Sequence, residues 1–294
     1  MNLINYYIQK LIYFYILLIR GKNIDTFQNE VFKIPKELRF IETSSIDNEC
    51  AEISFGLPYE QKDNLATLEL LPTYITGFNF YLGGSMQSLM SSFSTSVFPS
   101  KIEHLSIGNS SYAESPVDTN YIEMIEVLES CNFINLKSLC LGCWELFCNS
   151  HCLYGKLGDI TSILKNSPNL EYLGLYGNFQ LSQSLSLNRL KDLTIELDDP
   201  ETNVNGGFIT QSTLDFILES QFSMLEEVYI DLECDKNDYS YTFPNKFLEG
   251  LTMPQLKKIE IAGGFANQEK ERLLKSPLIN KNNIKFCFDG MVVS

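Results

Sequence analysis

The sequence is short of cations. Its 294 residues carry 22 Lys+Arg against 37 Asp+Glu, a formal net charge of −15. Such a field repels nucleic acid phosphates and anionic membranes unless the basic residues are segregated, and no basic run occurs. Nucleic acid is therefore not expected as a partner, a membrane is disfavoured, and a basic or neutral protein is favoured. Histidine is scarcer still, with His104 and His151 the two in the chain. A Ser-His-Asp or Cys-His device would have to be built on one of them, and nothing near either suggests it. Phosphate-cradling loops are also missing: "YGKLGD" lacks the spacing of G-x-x-x-x-G-K-[ST], and no G-x-G-x-x-G occurs. Paired carboxylates such as Glu226 and Glu227 read as solvated charge. These absences predict a protein that is not an enzyme and uses no cofactor.

A hydrophobic run long enough to span a membrane is missing too. "LIYFYILLI", Leu11–Ile19, falls well short of the roughly 20 apolar residues a span needs. Arg20 and Lys22 follow it without a small-x-small cleavage site, which makes it a poor secretory signal. Residues 1–35 are read as an N-terminal extension that caps the open end of a core, and residues 36–294 as one domain. A non-native start, or a short surface anchor that makes the chain a membrane-associated scaffold, are the alternatives for that segment.

Cysteine, by contrast, is not scarce. Of the eight, Cys131, Cys140, Cys143, Cys148 and Cys152 fall close together. Cys140 and Cys143 have C-x-x-C spacing, and Cys148, His151 and Cys152 follow, enough ligand for tetrahedral zinc. A metal-binding or redox protein using Cys140–Cys152 is thus an alternative. Against it, the intervening "WELF" is apolar and Cys140 is expected to point outward from a strand while Cys143 sits in a turn. A chain of this size needs no disulfide staples, so free thiols in a reducing cytoplasm are the default, with no metal assigned.

Hydrophobic residues make up 44%, enough for a folded protein. Their spacing is distinctive. "NLEYLGLYGN" places Leu170, Leu173 and Leu175 before Asn178. The same three-then-two spacing recurs from Ile102, Leu136, Leu190, Leu225 and Leu256, with weaker copies from Cys50 and Ile75 and a last strand at Ile284–Phe288. Apolar positions two apart point inward from a short strand, and the first position packs beneath it as the chain enters. The first positions 102, 136, 170, 190, 225 and 256 are separated by 34, 34, 20, 35 and 31 residues. One unit cannot bury its apolar face alone, so stacked units must share a core.

This pattern resembles the leucine-rich repeat over residues 50–288. The resemblance implies an α/β solenoid with a curved parallel sheet on the concave side and helices and loops outside. It also implies that Asn178 turns the chain out of its strand by bonding departing backbone groups. Helices are expected over "NYIEMIEVLESC", over "DITSILKNSP" with Asp159 as N-cap and Pro168 beyond its end, and over "STLDFILES" with Ser212 and Asp215 in near capping-box register. Two more are expected from Pro244 and over "QEKERLLKSP", the latter ending before Pro277. The unit from 170 to 190 is too short for a helix. A helix, "SPNLEYLGLYGN", a helixless loop, "LKDLTIELD" and a loop with Gly206 and Gly207 together are similar to a bacterial family of cytoplasmic leucine-rich-repeat proteins that accompanies WGR-domain proteins. That family supplies no catalytic motif to carry over.

Strand residues between the inward positions should form the open face. Its first half is small and neutral, and its second half is acidic. The residues expected to contact a partner are Tyr172, Tyr176, Tyr229, Asp192, Glu196, Glu227 and Asp231, since tyrosines anchor interfaces and carboxylates steer cations. The expected function is non-catalytic binding of a protein or peptide bearing a basic segment. An ordinary solvated sheet face is the plain alternative.

Overall fold

The computed structural model describes residues 41–42, 52–55, 77–82, 86–109, 120–142, 155–197, 209–232, 241–282, 284–288 and 291–293. The extension 1–35, with Leu11–Ile19, lies outside them, as do Cys143, Cys148, His151, Cys152, Gly206 and Gly207.

Three-then-two spacing becomes sheet. The strands are β1 (Ile41–Glu42), β2 (Glu52–Phe55), β3 (Gly77–Leu82), β4 (His104–Asn109), β5 (Ser138–Leu141), β6 (Gly155–Asp159), β7 (Tyr172–Gln180), β8 (Asp192–Leu197), β9 (Glu227–Leu232), β10 (Lys258–Gly263), β11 (Lys285–Phe288) and β12 (Met291–Val293). Nine of them, β2, β3, β4, β5, β7, β8, β9, β10 and β11, run parallel in chain order as one sheet. β1 and β12 close the two edges antiparallel, and β6 pairs off this path with the second half of β7. Register is uniform. Phe78, Leu105, Leu139, Leu173, Leu193, Val228, Ile259 and Phe286 form one buried row, and Phe80, Ile107, Leu141, Leu175, Ile195, Ile230, Ile261 and Phe288 form the next. A one-residue slip would turn both rows to the other face, so burial fixes the register. The first-position residues Ile102, Leu136, Leu170, Leu190, Leu225 and Leu256 are buried beneath them.

The helices are α1 (Met86–Thr95), α2 (Ile122–Leu128), α3 (Thr161–Lys165), α4 (Gln211–Leu218), α5 (Asn245–Leu248), α6 (Asn267–Leu274) and α7 (Pro277–Asn282). Their apolar residues join the strand rows in one continuous core. Each such side chain, fully buried, contributes about 1.5–3 kcal/mol. Residues 181–191 cross from β7 to β8 without a helix, held by a bridge from Ser186 to Gln221. The sequence reading passed over α1, although Met86, Leu89, Met90 and Phe93 follow helical spacing among its serines. Met90 and Phe93 hold it down, with the Phe93 ring 5.2 Å from Phe78 and 5.1 Å from Phe80.

Several local expectations change. Thr210, not Ser212, caps α4: its hydroxyl accepts from the Thr213 amide at 3.1 Å. Asp159 ends β6 and reaches α3 from there, accepting from the Thr161 amide at 2.8 Å. Pro277 opens a further helix rather than closing the region, in keeping with its fixed φ and missing N–H at a first turn. Asn178 does not turn the chain outward. β7 continues through it to Gln180, because Gly177 (φ 122°) redirects the strand onto β6, pairing Gly155 with Gly177. The asparagine rungs lie elsewhere, at the entry side of the sheet. Asn135 Nδ2 donates to Ser100 O at 2.7 Å, and Asn169 Nδ2 donates to Ile134 O in the next unit. Beside them Lys137–Glu103, Lys191–Glu171 and Lys257–Glu226 pair at 2.8, 2.6 and 2.7 Å, so charge alternates from one unit to the next.

Burial pushes the Cys131 thiol from its ordinary 9.0 up to about 11. Its sulfur donates to Ser94 O at 3.8 Å, behind α1. The folded state holds this proton more tightly than the unfolded chain does. The thiol's contribution to stability is therefore complete below pH 9 and is lost as pH rises toward 11. Urea titrations should show that decline between pH 9 and 11 in the wild type, and a shallower one in Cys131→Ala.

Candidate functional site

On the face opposite the core, β7 to β10 set their remaining side chains in three rows, with strands about 4.8 Å apart. The first row runs Tyr172, Asp192, Glu227, Lys258. The second runs Gly174, Thr194, Tyr229, Glu260, and the third Tyr176, Glu196, Asp231, Ala262. All seven residues expected from the sequence thus lie on three adjacent strands, which bring them together.

Their surroundings differ. Asp192 stands beside Glu227, and Glu196 beside Asp231, so like charges are neighbours twice. Within each pair the two charges repel one another. Tyr229 sits between them, half-buried, and its hydroxyl donates to Asp231 Oδ2 at 3.2 Å. Burial raises the Tyr229 phenol above its ordinary value, and the charges of Asp231, Glu196 and Glu260 and the hydrogen bond to Asp231 add to this. The phenol therefore stays protonated, a neutral ring collared by carboxylates. Glu227 is exposed, while Asp192, Glu196, Asp231 and Glu260 are half-buried.

Two side chains expected at the surface are not there. Tyr176 is 5% exposed and Cys140 8%. The cause is Gly174, which lies between them and leaves a space where a side chain would be. A Cβ built on Gly174 would lie 2.9 Å from Tyr176 Cε2, 3.2 Å from Tyr172 Oη and 3.4 Å from Cys140 Sγ. Tyr176 therefore lies down over the sheet as part of the floor, and Tyr172 reaches over the same spot half-exposed. Gly108, Gly142 and Gly174 are buried as well, so the neutral middle of the face is more closed than strand alternation implies. Tyr176→Ala should then cost about 3 kcal/mol of stability, as for other buried aromatics, and Tyr229→Ala under about 1 kcal/mol. Paired urea midpoints check this, and equal losses would contradict the assignment.

The sequence reading left out Lys258 and Glu260 as contact candidates. Lys258 Nζ lies 3.2 Å from Glu260 Oε2 on the same strand, so the acidic rows hold a cation of their own. Strand alternation placed both on this face, but it gives no side-chain pairing. Among the described residues, no group of three or more His, Cys, Asp or Glu is arranged to hold a metal ion. Of the Cys140–Cys152 group only Cys140 is described. Among the described residues, no helix is long and apolar enough to cross a membrane.

These observations define an α/β protein with a nine-stranded parallel sheet of repeating units and an acidic patch on its open face. No family model matches the chain, and no curated protein does. Among solved structures, a crystal structure of a Bacteroides fragilis protein is similar, with 18% identity and a TM-score of 0.49. The match covers 73% of this chain, which spans 60% of that protein's length.

Proposed function

We propose that the chain is a non-catalytic protein-binding module of the leucine-rich-repeat type, akin to the cytoplasmic family that accompanies WGR-domain proteins. Its open sheet face is the concave surface that receives a protein or peptide carrying a Lys/Arg-bearing segment. The buried first-position leucines, the parallel strands in chain order and the helixless crossing between β7 and β8 support the repeat assignment. One observation carries the binding assignment: carboxylates on β8, β9 and β10 surround Tyr229, a half-buried aromatic ring on the open face. A surface that gathers carboxylates around an aromatic ring is suited to a cation.

The test is a titration with a fluorescent six-arginine peptide. Binding should weaken about tenfold as salt rises from roughly 50 to 200 mM, since the contact is charge-steered. Tyr229→Ala should weaken it by about 1–2 kcal/mol as a central aromatic anchor. Binding indifferent to salt and to Tyr229, or no binding, would remove the proposal.

A further inference from the structure

The acidic face already contains one ammonium. On the four-strand grid Lys258 is the single basic residue, placed next to Glu227 of β9 and bonded to Glu260 of its own strand. From β11, Lys285 and Cys287 are in register with Lys258 and Glu260. The ion pair is open to water, with the Lys258 side chain 44% and the Glu260 side chain 30% exposed. A pair this exposed is weak and exchanges readily. The Lys258 ammonium is nevertheless held in its charged form, first by the hydrogen bond to Glu260, with the charges of Glu260 and Glu227 adding and partial burial opposing.

We infer that Lys258 is an internal competitor, an ammonium that occupies the cation position beside Glu260 and Glu227 until a partner's guanidinium or ammonium displaces it. The inference rests on the binding reading above and adds to it a residue that sets the threshold for entry. A partner offering one isolated lysine gains little by exchanging one ammonium for another. A partner that places a planar guanidinium on Glu260 while stacking on Tyr229 gains a bidentate contact that Lys258 cannot make. The device therefore selects arginine-bearing segments over lysine-bearing ones.

The experiment compares six-arginine and six-lysine peptides on the full chain carrying Lys258→Met, Lys258→Arg or Lys285→Met. Lys285→Met makes the same change in net charge one strand away. Lys258→Met should tighten six-arginine binding about fivefold and six-lysine binding more, narrowing the preference, while Lys285→Met changes either by less than about twofold. Lys258→Arg should leave six-lysine binding no tighter than wild type. Should Lys258→Met prove unstable, Lys258→Gln is expected to behave alike. Equal tightening by Lys258→Met and Lys285→Met would reduce the effect to net charge and overturn the inference while leaving the binding reading intact. Failure of both peptides to bind wild type and every variant would overturn the binding reading, and this inference with it.

Discussion

Gly177→Ala is expected to cost about 3 kcal/mol or more, a large share of what a folded domain holds in reserve. Two independent effects add. Gly177 has φ 122°, a conformation side chains rarely adopt, and β7 bends there to leave the main sheet and pair with β6. A Cβ at this position would also run into the Gly155 carbonyl oxygen and lie 2.7 Å from the Gly155 nitrogen. Both obstacles are backbone, so no rotamer change relieves them. Gly142→Ala is expected to be comparably damaging, because its Cβ would meet the Tyr176 carbonyl oxygen at φ 84°. Urea denaturation of the two variants provides the check. A midpoint within about 0.5 kcal/mol of wild type in Gly177→Ala would contradict the β6–β7 pairing and the strand path through Asn178.

The second large effect concerns binding. Reversing Glu196 and Asp231 together, Glu196→Lys with Asp231→Lys, is expected to weaken six-arginine binding at least about a hundredfold, or roughly 2.7 kcal/mol. These two side chains are register neighbours in the third row, and Tyr229 donates its hydrogen bond to one of them. Reversal thus replaces attraction with repulsion at the ring and removes the acceptor that orients it. Neither side chain belongs to the apolar core, and urea midpoints measured alongside establish that the fold is retained. A control with the same change in net charge on the helix side, Glu126→Lys with Glu249→Lys, separates local contact from long-range field. Both control residues are exposed. Equal loss in the two double variants would mean that net charge alone drives binding.

What the sequence made legible was periodicity. Three-then-two spacing identified the inward pairs such as Leu173/Leu175 and Val228/Ile230, and alternation then placed Asp192, Glu227, Glu196, Asp231 and Tyr229 on the other face. Because consecutive units are neighbours in space, chain order gave strand order as well. Alternation says which face a side chain leaves from, but not whether neighbours then cover it. Tyr176 was misplaced for that reason: its burial depends on the space above Gly174, which side chains of β5 and β7 share. Helix α1 was legible but passed over: Met86, Leu89, Met90 and Phe93 keep the i, i+3, i+4, i+7 spacing of a helix among its serines, and Phe93 packs on Phe78 and Phe80. Asn178 carried the right residue type for a turn, but Gly177 just before it decides the path.

The most direct measurement is photo-crosslinking of the protein in its native cell extract, with p-benzoylphenylalanine replacing Tyr229 in one variant and Glu249 in another. Tyr229 lies at the centre of the acidic rows, and Glu249 is exposed at the end of α5 on the helix side. The account predicts a discrete adduct from position 229 that maps to an arginine-bearing segment and disappears when unlabelled six-arginine peptide is added in excess. It predicts no matching adduct from position 249. Adducts of equal yield from both positions, or a 229 adduct that the peptide does not displace, would contradict it.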